Sequence, residues 1–141
     1  MLLLVSARLL WLPKGSLTAV PAPSDDAVVV LHNPRCSKSR GALEILGDRG
    51  VDAEVIQYLD TPPDRVLLER ILDAIPDDPS ALVRHDARFK ELHLDAKAYG
   101  DRDAVVALLL EYPELMERPV VFVGERAVIA RPPEKVLDLL G

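Results

Sequence analysis

Apolar and polar positions alternate along the chain in two rhythms, one of strands and one of helices. Ala27 to Leu31 is a short, unbroken, β-branched run, the pattern of a strand buried on both faces. From Ser37 onward Ala42, Leu43, Ile45 and Leu46 recur at mixed three- and four-residue spacing and stop before Gly50, which predicts a helix closed by a C′ glycine. Ala53 to Tyr58 predicts a second strand, with Val55 and Gln57 on one face and Ile56 and Tyr58 on the other. The strand-helix-strand order implies a parallel pair. Thr61-Pro62-Pro63-Asp64 predicts a helix start with Thr61 as N-cap, and Val66, Leu67, Ile71, Leu72 and Ile75 form its apolar stripe up to Pro76.

Short helices are expected over 81–84 and 87–93, and a longer one over 102–111 behind Asp101, so this stretch reads as a helical insert. Strand character returns at Pro119 to Val123. Gly124-Glu125 fits a type II′ turn, and Ala127 to Ile129 pairs back as a hairpin. Pro132-Pro133 opens a closing helix with Val136, Leu137 and Leu140 expected inward.

Length and composition narrow the class. The chain has 141 residues, 49% hydrophobic and 28% charged, which fits one soluble globular domain with a real core. Its net charge of −6 disfavours a nucleic-acid partner, since no basic run offsets it. A single cysteine excludes an internal disulfide and points to a reducing compartment, the cytoplasm. Met1 to Leu12 is apolar, but its start lacks positive charge, Arg8 interrupts it and it is too short to span a bilayer. Residues 1–26 are therefore expected to be an extension or disordered linker, with no membrane role, and residues 27–141 to be the domain.

The lone thiol changes this picture. Cys36 stands where the first strand gives way to the first helix, beside the Asn33-Pro34 turn. Unpaired N–H groups and the positive end of a helix dipole favour thiolate over thiol, and Lys38 and Arg40 add charge nearby. A cysteine so placed has its pKa lowered from about 8.5 into the range of about 3.5 to 7.5 and becomes a nucleophile. His85 and His93 have no companion carboxylate or thiol at ligand spacing, so no metal site is expected.

The run His32-Asn33-Pro34-Arg35-Cys36-Ser37-Lys38-Ser39-Arg40 resembles the active-site loop of the arsenate reductase (ArsC) family, in its glutaredoxin-coupled branch. Four later blocks extend the resemblance in order: Tyr58 to Pro63, Ala81 to Arg84, Glu117 to Val121 and Ala130 to Glu134. It implies a thioredoxin-like (glutaredoxin-like) α/β fold with a helical insertion between the second and third strands. It also implies that Cys36 is the catalytic nucleophile and that Arg84, Arg118 and Arg131 bind the oxyanion, for which a charged planar guanidinium is suited. Pro119 would be a cis-proline beside the thiol, with His32 and Ser39 in supporting positions.

The implied reaction is reduction of arsenate to arsenite through a covalent Cys36-arsenate adduct. With no resolving cysteine in the chain, glutathione or another low-molecular-weight thiol would be the reductant and glutaredoxin the partner, with no tightly bound cofactor and a monomeric enzyme. Two other readings belong beside it. One is an Spx-type redox-linked regulator that binds RNA polymerase, although Ser39 stands where such proteins usually place a second cysteine. The other is a paralogous thiol oxidoreductase with another substrate, since Cys-Ser-Lys-Ser replaces the family's Cys-Gly-Thr-Ser.

Overall fold

The computed structural model describes residues 27–140, so the expected extension over 1–26 lies outside the described residues. Four strands, β1 (Val28–His32), β2 (Ala53–Gln57), β3 (Val120–Val123) and β4 (Arg126–Ile129), form one sheet in the order β2-β1-β3-β4. β1 runs parallel to β2, with Val30 opposite Val55, and antiparallel to β3, with Val30 opposite Val121. Helix α1 (Ser37–Asp48) makes the crossover. The insert holds α2 (Arg65–Ala74), α3 (Ala87–Glu91) and α4 (Arg102–Glu111), and α5 (Leu137–Leu140) closes the described chain. This is the mixed α/β, thioredoxin-like arrangement expected from the sequence.

All five residues of β1 are buried, as its unbroken apolar run predicts for a strand paired on both sides and covered on both faces. The pleat sends Val29 and Leu31 into a core with the helices of the insert, and Val28 and Val30 into a second core with Ala42, Leu46, Val136 and Leu139. Truncating a side chain such as Leu31, which is wholly buried, would cost about 2–5 kcal/mol. The loop at the end of β1 thus hangs from a rigid support. α1 ends as predicted: Gly50 takes φ 68°, and the Gly50 and Val51 N–H groups bond the carbonyls of Gly47 and Leu46 at 3.0 and 2.9 Å.

Three local expectations are corrected. The N-cap of α2 is Asp64, whose carboxylate accepts the Leu67 N–H at 2.8 Å, while Thr61 turns its hydroxyl to the Gln57 carbonyl. A residue before proline is pushed out of the α region, so Thr61 and Pro62 stay outside and the helix starts after Pro63. The expected helix at 81–84 is a 3₁₀ turn over Pro79–Leu82, and Val83 is extended and bridges antiparallel to Met116. At the closing helix Val136 and Leu139 are buried, whereas Leu137 and Leu140 are only partly so. A 3₁₀ turn over Pro133–Val136 leads into α5, and its three-residue period aligns 136 with 139.

Candidate active site

The thiol loop is fixed by short-range hydrogen bonds. The Asn33 carbonyl accepts the Cys36 N–H, the Cys36 carbonyl accepts the Arg40 N–H, and Asn33 Oδ1 accepts the Arg35 N–H, each at 3.0 Å. Ser39, wholly buried, accepts the Asn33 N–H at 3.0 Å, and its Oγ lies 2.8 Å from His32 Nδ1. One hydroxyl therefore ties the end of β1 to the first turn of α1. Asn33 and Ser39 both anchor the loop. Ser39 reaches the thiol through its backbone N–H.

Cys36 is the N-cap of α1, with extended backbone at φ −95° and ψ 122°. Partial burial pushes its thiol up, but the N–H groups of Ser39 and Lys38 and the Arg118 guanidinium outweigh that and leave the pKa lowered. Burial, helped by the charge of Arg40, also lowers the pKa of His32. The neutral ring is thereby favoured, and it serves the loop as a hydrogen-bonding partner of Ser39.

Three arginines meet this thiol from distant parts of the chain. Arg131 Nη1 stands 3.8 Å from Cys36 Sγ and donates to the Arg118 carbonyl at 3.0 Å. Arg118 and Arg131 each precede a proline across a cis peptide bond, at Pro119 and Pro132. Arg84 follows the bridged Val83: its N–H bonds the Leu115 carbonyl at 2.7 Å, and the Glu117 N–H bonds the Leu82 carbonyl at 2.8 Å. That small ladder lays the insert alongside the segment leading to Arg118. Burial works against the Arg84 charge, yet the Asp86 bond, Glu117 and the Cys36 sulfur hold its pKa above the ordinary value.

Two acidic residues complete the cluster. Asp86 Oδ2 accepts Arg84 Nε at 2.8 Å, and Asp86 also caps α3 through the Phe89 N–H. Glu117 Oε1 lies between two guanidiniums, 3.5 Å from Arg84 Nη1 and 3.7 Å from Arg131 Nε. Among the described residues, the buried side-chain polar atoms without a hydrogen-bond partner are Tyr58 Oη, Glu117 Oε1 and Arg118 Nε. All belong to this site. Burial raises the Tyr58 pKa against the pull of Arg118; Asn33 and Arg118 neighbour its hydroxyl, but neither meets hydrogen-bond geometry. Two unpaired donors and an unpaired acceptor thus lie buried near the nucleophile, where most buried polar groups in a folded protein would have partners.

The ArsC family model matches residues 31–139. An arsenate reductase from Neisseria meningitidis is 41% identical over 115 residues, covering 80% of this chain and 97% of that protein. The chain belongs to the ArsC family. The uncharacterized protein YfgD of Escherichia coli is similar at 40% identity over 116 residues, covering 81% of this chain and 97% of that protein. An arsenate reductase structure from Vibrio cholerae superposes with a TM-score of 0.72 at 38% identity, over 82% of this chain and 99% of that one.

Within this ArsC domain the structure brings together Cys36, His32, Ser39, Arg118 and Arg131 by the contacts given above, with Arg84 acting on the sulfur by charge, while Pro119 is cis as expected and has no described contact with the thiol. Sequence reading gave Tyr58, Asp86 and Glu117 no role. Tyr58 was visible as one face of a strand and as the first residue of a family block, neither of which assigns its hydroxyl a task. Glu117 was visible as the residue before Arg118-Pro119, where its carboxylate carries no signal until the fold brings Arg84 and Arg131 beside it. His85 stacks edge-on against Phe89 at 4.7 Å between ring centroids, and His93, just beyond the end of α3 at Glu91, takes φ 55°.

Proposed function

We propose that this protein reduces arsenate to arsenite with Cys36 as nucleophile. The observation that carries this reading is the meeting of a lowered-pKa thiol with three guanidiniums, one of them 3.8 Å from the sulfur. The arsenate reductases among its relatives support the substrate. Arg84, Arg118 and Arg131 hold the tetrahedral oxyanion by charge-assisted hydrogen bonds while Cys36 Sγ attacks arsenic. An S–As bond forms, and an arsenate oxygen leaves as water after taking protons. Arg118 Nε and the Tyr58 hydroxyl are buried donors near the thiol that have no hydrogen-bond partner of their own.

Glutathione or another small thiol then attacks Cys36 Sγ. The S–As bond breaks with its electron pair on arsenic, so As(V) becomes As(III), arsenite departs and a mixed disulfide remains. A glutaredoxin thiol takes the glutathione from Cys36 and returns the free thiolate. This second half follows from the single cysteine, which leaves no thiol in the chain to resolve the adduct. Purified protein with arsenate, glutathione and glutaredoxin should turn over, and omission of either thiol component should stop it. Arsenate-independent turnover of a simple disulfide substrate, with no arsenite formed, would assign the protein to general thiol exchange instead.

A further inference from the structure

Glu117 is an unexpected residue in an anion site. Its Oε1 is buried and lacks a hydrogen bond, and it lies 3.5 and 3.7 Å from guanidiniums of Arg84 and Arg131, beyond hydrogen-bond contact with either. Arg84 gives its short bond to Asp86 instead, at 2.8 Å. Arg131 faces both ways, with Nη1 toward the Cys36 sulfur and Nε toward Glu117. The carboxylate thus lies one guanidinium away from the thiol, paired by charge with Arg84 and Arg131 but with an oxygen that accepts no hydrogen bond.

An ionised carboxylate only accepts hydrogen bonds. Toward a fully deprotonated oxyanion it presents charge against charge; toward an oxyanion that keeps a proton it presents the acceptor that O–H requires. Arsenate and phosphate carry an O–H at neutral pH, and sulfate carries none. We infer that Glu117 is a specificity-determining residue that accepts a hydrogen bond from the O–H of a protonated tetrahedral oxyanion, so the arginine site selects arsenate-like and phosphate-like ions over sulfate. This rests on the oxyanion reading of the site and adds a filter to it. A site built to pair with a substrate hydroxyl rejects the analogue that lacks one, because its own polar atom stays unpaired.

The test reads binding without turnover, as protection of Cys36 from iodoacetamide by inorganic phosphate and by sulfate at neutral pH. In the wild type, phosphate should protect at a concentration about tenfold or more below sulfate. In Glu117→Gln, whose amide donates as well as accepts, sulfate protection should improve about tenfold and the gap close. Equal protection by the two ions in the wild type, no protection by either, or an unchanged ratio in Glu117→Gln would each overturn the inference. A carboxylate that merely positions the arginines would weaken both ions together and leave the ratio alone. Should Glu117→Gln fail to fold by circular dichroism, the wild-type ratio still decides. Arsenate turnover with an unmoved ratio sinks the filter alone, whereas a shifted ratio without arsenate turnover leaves the filter standing and sinks the proposed substrate.

Discussion

The thiol loop and the arginine cluster do different parts of one job and are built in opposite ways. The loop is local: its hydrogen bonds join residues within His32 to Arg40, and the two N–H groups facing Cys36 belong to Lys38 and Ser39. The cluster is assembled from afar. Arg84 arrives through the Val83–Met116 bridge, Arg118 leads into β3, and Arg131 leaves β4 and reaches a sulfur 95 positions earlier in the chain. Thiolate formation therefore draws on one strand-helix junction with Arg118 as the cluster's contribution, whereas holding an oxyanion depends on the insert and hairpin being docked. The two functions should separate under mutation.

The largest effect breaks the chemistry at the point the two regions share. Cys36→Ser should abolish arsenate turnover and leave the circular dichroism spectrum unchanged, because the side chain is only partly buried. Residual turnover would mean the nucleophile is elsewhere. Next come the arginines. A charge-assisted hydrogen bond is worth about 1.5–3 kcal/mol, so alanine at Arg84, Arg118 or Arg131 should lower arsenate kcat/KM about 10- to 100-fold. Alkylation of Cys36 by neutral iodoacetamide should fall far less, least of all for Arg84→Ala, since Arg118 is the guanidinium that acts most on the thiol. Lysine should rescue only in part, because it lacks the planar two-pronged donor. Equal losses in both assays would show that the regions are not separable.

The same division explains what the sequence made legible. β1, its burial, Gly50 and the placement of Cys36 at a helix start follow from consecutive residues and their periodicity. The arginines, taken singly, read as surface residues, and only the ordered motifs of a family marked them. Neither periodicity nor spacing could show that Val83 pairs with Met116, because the pairing is an isolated bridge between two 3₁₀ turns. For that reason Asp86 and Glu117 went unassigned: their partners are defined by tertiary docking. The Thr61 cap went wrong for a local reason, the two prolines that delay the helix to Arg65.

A smaller effect sharpens the comparison from the loop side. Ser39→Ala strips the buried Asn33 N–H and His32 Nδ1 of their partner. Leaving such groups unsatisfied should cost about 1–3 kcal/mol of stability, read as a lower urea midpoint. The Ser39 backbone N–H survives the change, so the Cys36 alkylation rate should move little once the protein is folded. A variant of full stability would show that water replaces the hydroxyl without penalty.

The smallest effect is the pH dependence of stability, and here the two titrating groups of the loop act in the same direction. His32 has its folded pKa below its ordinary 6.5, so the unfolded chain binds the proton more readily. Its contribution to stability is fully present above that value and is lost as pH falls through the folded pKa. Cys36 is depressed from 9.0, so its contribution is fully present above 9.0 and is lost as pH falls through the folded thiol pKa. Stability should therefore climb with pH in two steps, a lower one from the imidazole and an upper one from the thiol. Melting temperatures of wild type, Cys36→Ser and His32→Gln across that range separate them: the serine variant should keep the lower step and lose the upper, and the glutamine variant the reverse. Arg84→Ala should retain the lower step and nearly all of the upper, since the Ser39 and Lys38 N–H groups and Arg118 are the groups that lower the thiol pKa. Loss of the upper step in Arg84→Ala would place thiolate stabilisation in the assembled cluster rather than in the loop.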